Sequence, residues 1–279
     1  MCPPTYFGVF YAINPWMQVG APVDLDLALA QWAELRATYE RLGHTVELLA
    51  PLPGLPDMVF AANGAFVVGD RALGARFRET VRAAEAPAHQ AFLERLGVDV
   101  FRPHAVNEGE GDVAWAYGHI LAASGFRTQP QARSELAETF GLPVIPLELT
   151  DPRFYHLDTA LVVLDESTVA YFPPAFSPSS RALIESSFRD VIVTSEHDAL
   201  VLGLNAVSDG AHVVLASQAA ELADALAARG FEPVPVDVSE LMKAGGGVKC
   251  ATLELHAPDR AAPPVRHKHP VRTEMMETA

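Results

Sequence analysis

Apolar residues recur along this chain at two alternating spacings. Leu25, Ala28, Trp32, Leu35, Tyr39 and Leu42 fall three or four apart, the period that lines one face of an α-helix, and Gly43 stands where a helix would stop. A short β-rich run follows at once in RLGHTVELL (41–49). The same succession returns in RLGVDVFRP (95–103), TFGLPVIPLEL (139–149), SFRDVIVTS (187–195) and ARGFEPVPVDV (228–238). These instances lie roughly 40 to 55 residues apart, a spacing typical of repeat architectures.

Four of the predicted helices are preceded by two apolar runs around a turn signal: AFVVGDRALGARF, VAWAYGHILAAS, ALVVLDESTVAYF and AVSDGAHVVLAS. The repeating unit therefore reads as hairpin, helix, strand, in the α/β class. A fifth hairpin is split between CATLEL near the C-terminus and TYFGVFYAI near the N-terminus. Joining them would close the units into a ring; the alternative is an open α/β sheet with irregular insertions.

Unusual polar residues fall at one place in this unit. Asn63 precedes AFVV; Glu108, Glu110 and Asp112 precede VAWAY; His156 and Asp158 precede ALVVL; Asn205 precedes AVSD; Cys250 precedes ATLEL. Each stands at the entrance to the first hairpin strand, and in a closed ring such equivalent positions converge near the axis. A Cys, a His and several carboxylates would then face one cavity. A thiolate is a strong nucleophile once a nearby cation lowers its pKa. Carboxylates beside a thiol raise it instead, so they fit a site built to clamp a cation. A planar guanidinium offers five N–H donors in a fixed fork and suits facing carboxylates. His156 is the natural group to move protons there.

Each feature also has a plainer reading. Cys250 could be core packing, HLD a satisfied polar turn, and EGEGD a solvated acidic loop or weak cation site. GGGVK before Cys250 favours the functional reading, because consecutive glycines weaken a strand end unless the backbone must approach something closely. His104, His119 and His197 have no metal-ligand spacing with one another. No HExxH, CxxC, dinucleotide fingerprint or phosphate loop is present, so no metal or cofactor is expected.

Composition narrows the partner. The net charge of −15 over 279 residues argues against nucleic acid and suits a cationic small substrate. No apolar run approaches the ~20 residues of a membrane span. The opening MCPPTYF does not read as a secretory signal, and two cysteines far apart make no disulfide framework, so a reducing, cytoplasmic setting is expected. One catalytic domain is expected over 1–256, with a mobile tail over 257–279 rich in Pro, Arg, His and Met. Homo-oligomerisation is left open.

The ordered set FYHLDTAL, EGEGD, GFRT and GGGVKCATLEL resembles the guanidino-group modifying enzymes, the pentein superfamily, over nearly all of residues 1–256. That superfamily includes arginine deiminase, dimethylarginine dimethylaminohydrolase, amidinotransferases and arginine dihydrolase. The resemblance implies a five-unit α/β propeller. It further implies that Cys250 forms a covalent thiouronium-type intermediate while His156 moves protons. Asp158 and Glu108 would hold the guanidinium edges, and Arg82 and Arg127 the substrate α-carboxylate. The acidic loop has one residue more than the commoner acid-Gly-Gly-Asp form, so Glu110 competes with Glu108 for this role, with Glu108 favoured.

Subfamily turns on DMVFAANGA. Deiminases and the dimethylarginine enzyme typically carry an acid where Asn63 stands, and Ala62 also replaces an acid of the latter. Asn63, with CPPTYFGVFYAINPWM, looks like the arginine dihydrolase branch, which yields ornithine, ammonia and carbon dioxide. Asp57 stands where the dimethylarginine enzyme has an aspartate, which keeps that alternative open. A non-catalytic binding pentein and an amidinotransferase are further alternatives.

Overall fold

The computed structural model describes residues 1–257; apart from Ala257, the expected tail lies outside the described residues. Helix α1 (Leu25–Arg41) begins where the Asp24 carboxylate accepts the Leu27 N–H, and Gly43 follows it in the left-handed region at φ +90°. The predicted face is the buried one, with Ala28, Trp32, Leu35 and Tyr39 turned inward. Burying each large apolar side chain of this kind contributes about 1.5–3 kcal/mol.

Four three-stranded sheets follow, and all have one plan: an antiparallel hairpin, then a helix, then a third strand parallel to the second. The first comprises β1 (Ala65–Val68), β2 (Arg71–Gly74), helix α2 (Glu85–Arg95) and β3 (Asp99–Phe101). The second comprises β4 (Val113–Trp115), β5 (Ile120–Ser124), α3 (Ala132–Phe140) and β6 (Val144–Glu148). Next come β7 (Leu161–Val163), β8 (Thr168–Tyr171), α4 (Pro178–Ser187) and β9 (Asp190–Val193). After the short helix α5 (Glu196–Leu200), the last sheet holds β10 (Val207–Ser208), β11 (His212–Ala216), α6 (Ala220–Ala227) and β12 (Glu232–Val236), and α7 (Ser239–Met242) packs on α1. The middle strands are buried on both faces, as in Ile120–Ser124, which explains their unbroken apolar runs.

The fifth hairpin is not a regular sheet: TYFGVFYAI (5–13) holds no strand, and the strand expected after α1 is missing too. Residues 44–49 form no strand; they meet the N-terminus through two hydrogen bonds, Met1 N–H to the Glu47 carbonyl and Leu49 N–H to the Met1 carbonyl, both 2.9 Å. Pro3 and Pro4 have no N–H with which to extend that ladder. The CATLEL segment starts in a turn and reaches β1 only by a single parallel bridge, Val68 to His256. It is pinned instead by ionic side chains described below.

One core cluster lies around the second to fourth sheets, including Leu121, Phe154, Tyr171 and Leu215. Another joins α1 to the C-terminal stretch, including Phe7, Leu35, Val248 and Cys250. Among the described residues, no helix is long and apolar enough to cross a membrane.

Candidate active site

Three of the hairpins are entered through short 3-10 turns: Ala61–Gly64 before β1, Gly109–Gly111 before β4 and Leu157–Thr159 before β7. The turns at Ala61–Gly64 and Leu157–Thr159 both pack on the one between them, so residues nearly a hundred positions apart are brought together. Glycine makes this approach possible. A Cβ on Gly111 would lie 2.4 Å from Asn63 Nδ2 and 3.1 Å from His156 Nδ1. The triple glycine works in the same way: added Cβ atoms on Gly245, Gly246 and Gly247 would meet Asn14, Phe60 and Asn205 within 3.0 Å. The backbone ahead of Cys250 is thus pressed against three walls that a side chain would push away.

Cys250 is buried in the turn over 248–251. Its Sγ–H donates to Asp158 Oδ2 at 3.1 Å, and its Sγ accepts from Asn205 Nδ2 at 3.1 Å. Burial pushes the thiol well above its usual value, and the Asp158 carboxylate raises it further. Burial likewise lifts the Asp158 carboxyl to about 6, against the opposing pull of His156. Asp158 Oδ1 is buried with no hydrogen-bond partner. The resting thiol is therefore protonated, and a cation seated against Asp158 would favour its ionisation.

His156 Nε2 pairs with Glu108 Oε2 at 2.8 Å, and its Nδ1 is buried without a partner. Glu108 also accepts from Arg127 Nη1 at 3.0 Å and from the Arg78 backbone N–H at 3.0 Å. Burial alone would raise this carboxyl, but the His156 hydrogen bond and the His156 and Arg127 charges outweigh it and bring it to about 2. Asp112 braces the same corner, accepting from the Leu157 and Thr128 N–H groups at 3.2 and 3.1 Å.

A small cavity beside Cys250 is lined by Asp57, Asn63, Arg82, Arg127 and Tyr155 and covered by the segment 13–17. Asp57 Oδ2 accepts from the Tyr11 hydroxyl at 2.8 Å, and its Oδ1 is buried without a partner. Asn63 Oδ1 accepts from Arg82 Nη1 at 2.7 Å, while its Nδ2 lies 3.4 Å from the Glu108 carbonyl. The Arg127 Nη2 donates to the Ile13 carbonyl at 2.6 Å, and its guanidinium lies over the Tyr155 ring.

Cys250, Asn63, Asp57, Arg82 and Arg127 thus share one cavity. Asp158 touches the thiol and borders a second cavity with Lys249, and His156 joins the group through Glu108 and Arg127. Neither arginine sits at an outer rim: both are buried. Glu110 points away from His156. Its carboxylate bonds Lys249 Nζ at 2.7 Å, His256 Nε2 at 2.6 Å and the Glu254 N–H at 2.8 Å. Among the described residues, Glu110, Glu254 and His256 lie close enough to share an ion, and the Lys249 ammonium is the cation between the two carboxylates. Asn205 had been noted only for its place in the repeat. Glu85, Tyr155 and Lys249 carried no sequence signal beyond an ordinary helix pair or loop residue.

The family described as N,N dimethylarginine dimethylhydrolase, eukaryotic, matches residues 21–257. The N(G),N(G)-dimethylarginine dimethylaminohydrolase of Mycobacterium tuberculosis is 54% identical over 256 residues, 92% of this chain and 85% of that protein. The bifunctional arginine dihydrolase/ornithine cyclodeaminase ArgZ of Synechocystis is 35% identical over 265 residues; these make up 92% of this chain but only 37% of that protein. The solved N-terminal domain of ArgZ, an arginine dihydrolase bound to product, superposes with a TM-score of 0.89 at 33% identity, covering 92% of this chain and 97% of that one. The chain belongs to the dimethylarginine dimethylaminohydrolase family of pentein-type amidinohydrolases, hydrolases that act on the guanidino group.

Proposed function

We propose that this hydrolase removes both terminal nitrogens from L-arginine, giving ornithine, ammonia and carbon dioxide, with Cys250 as nucleophile. The observation that carries the reading is Asn63. An uncharged amide lines the cavity beside Cys250, with its NH2 end against Gly111 and 3.4 Å from the Glu108 carbonyl. An amide donor suits a neutral ureido oxygen, whereas a carboxylate there would prefer the cation and let citrulline leave. The likeness to the arginine dihydrolase domain of ArgZ supports the same reading.

In this reading the guanidinium takes the place of the thiol proton at Asp158, that proton passes to His156, and the cation lies between Asp158 and Glu108. The Cys250 thiolate adds to the central carbon, His156 gives its proton to the departing amine so that ammonia leaves, and His156 then takes a proton from the water whose oxygen displaces the thiolate. A second round at the ureido carbon with a second water releases the other ammonia and the carbon as carbon dioxide, leaving ornithine. Arg127 is the better partner for the α-carboxylate. Two of its five N–H donors are engaged, on Glu108 and Ile13, whereas Arg82 has committed most of its own. We read residues 1–256 as one catalytic unit, and the four hairpin-helix-strand units with the joined termini as a ring of five.

The second reading is dimethylarginine dimethylaminohydrolase, favoured by the relative so named and by the unpartnered Asp57 Oδ1 at the cavity. Identifying the amino-acid and amine products from L-arginine and from asymmetric dimethylarginine separates the two. Ornithine from arginine supports the first reading; citrulline with dimethylamine, and no turnover of arginine, establishes the second.

A further inference from the structure

We infer that Glu85 is a positioning residue that decides which product leaves, acting through Arg82 on the orientation of the Asn63 amide. The inference rests on the arginine dihydrolase reading and adds to it a residue that never touches the cavity. Glu85 is the first residue of α2, where a carboxylate is favoured by the helix N-terminus, and it is fully buried. Its two oxygens accept from Arg82 Nε at 2.9 Å and Nη2 at 2.8 Å, a bidentate pair. The remaining Nη2 hydrogen points at the Asp57 and Phe60 carbonyls, and the guanidinium lies 4.7 Å from the centre of the Phe77 ring. Arg82 is therefore held in plane and in rotation.

One donor of this fixed guanidinium, on Nη1, meets Asn63 Oδ1 at 2.7 Å. Arginine has donors only, so whatever part of an amide faces it must be the oxygen. The NH2 end of Asn63 is thereby turned the other way, toward Gly111 and the Glu108 carbonyl. A side-chain amide otherwise has two orientations related by a half-turn, and the flipped one would set an oxygen against a ureido oxygen. Removing the charge of Glu85 releases Arg82 from its fixed plane and lets Nη1 turn away from Asn63 Oδ1, and the amide can then take either orientation. The neutral intermediate then loses a donor, while the cationic substrate, held by Asp158 and Glu108, loses little.

The test compares Glu85→Gln, Glu85→Asp and wild-type full-length protein on L-arginine, reading the ratio of citrulline to ornithine and the rate of arginine consumption. Glu85→Gln is expected to raise that ratio by about tenfold, the weight of one lost hydrogen bond to an intermediate, with arginine consumption changed far less. Glu85→Asp, which keeps the charge, should bring the ratio partly back. A ratio in Glu85→Gln equal to wild type overturns the inference while the dihydrolase reading stands. If wild type itself releases only citrulline, that reading fails, and the clamp is judged by NMR of the Asn63 side-chain amide, assigned by its loss in Asn63→Asp. An Asn63 signal unmoved by Glu85→Gln overturns the clamp; a displaced one upholds it. Should Glu85→Gln fail to fold, Arg82→Lys, which keeps one charged donor and loses the fork, is read by the citrulline-to-ornithine ratio alone: a raised ratio upholds the inference, and a wild-type ratio overturns it.

Discussion

Asn205 and Cys250 clasp each other at both ends of the amide: Asn205 Nδ2 donates to Sγ at 3.1 Å, and the Cys250 backbone N–H donates to Asn205 Oδ1 at 3.1 Å. The same Nδ2 reaches the Asp158 carbonyl at 3.1 Å, so one side chain sets the nucleophile against the carboxylate that opposes its ionisation. A donor already aimed at sulfur stabilises the thiolate without reorganisation. Asn205→Ala should lower kcat by about 100-fold, the usual loss for one preorganised donor, and slow alkylation of Cys250 by iodoacetamide. A kcat within twofold of wild type would remove Asn205 from the chemistry.

Asp158 governs the acid limb. Its carboxyl is raised by burial to about 6, and only the ionised form attracts a guanidinium. The kcat/KM for arginine should therefore climb as pH rises through about 6 and then level off. Glu108, held near 2, stays ionised across that range. Unfolding does not explain such a limb. A carboxyl raised in the folded state contributes stability that is fully present below its unfolded pKa of about 4 and is lost as pH rises through about 6. A profile that is flat between pH 5 and 7 contradicts the assignment.

Asn63→Asp conserves size and replaces the amide donor beside Gly111 with an anionic oxygen. Arginine should still be consumed, with citrulline rather than ornithine as the main product. Retention of ornithine as the main product would show that the amide does not hold the intermediate.

Lys249 supports the turn that carries the nucleophile by pairing with Glu110 and Glu254. Lys249→Met leaves the buried Glu110 carboxylate with only His256 and the Glu254 N–H as partners, which should cost up to about 3–5 kcal/mol in urea unfolding. Adding Glu110→Gln should recover part of that loss, because the buried charge left without its cation is gone. A single-variant loss below about 1 kcal/mol would reduce the pair to a surface-type contact.

The sequence revealed the hairpin-helix-strand unit because the apolar period switches from two to about 3.6 within each unit, and that switch is local. It overstated the fifth unit, since the apolar runs of TYFGVFYAI and CATLEL and the alternation in HTVELL say nothing of whether a partner strand can supply N–H groups. Cys250, His156, Asp158 and Glu108 were legible because they occupy one place in the repeat. The choice between Glu108 and Glu110 was not, because it depends on partners far along the chain: Glu108 meets His156 across 48 positions, and Glu110 meets Lys249 across 139. Glu85 stands three residues from Arg82, a spacing that any exposed helix pair shares; only its burial beside Asn63 gives it meaning.

The fate of the guanidino carbon tests the account most directly. L-arginine labelled with carbon-13 at that carbon, followed by NMR during turnover of the wild-type protein, should deliver the label to carbon dioxide and bicarbonate, with no build-up of ureido carbon. Label that accumulates in citrulline as fast as arginine disappears would contradict the account.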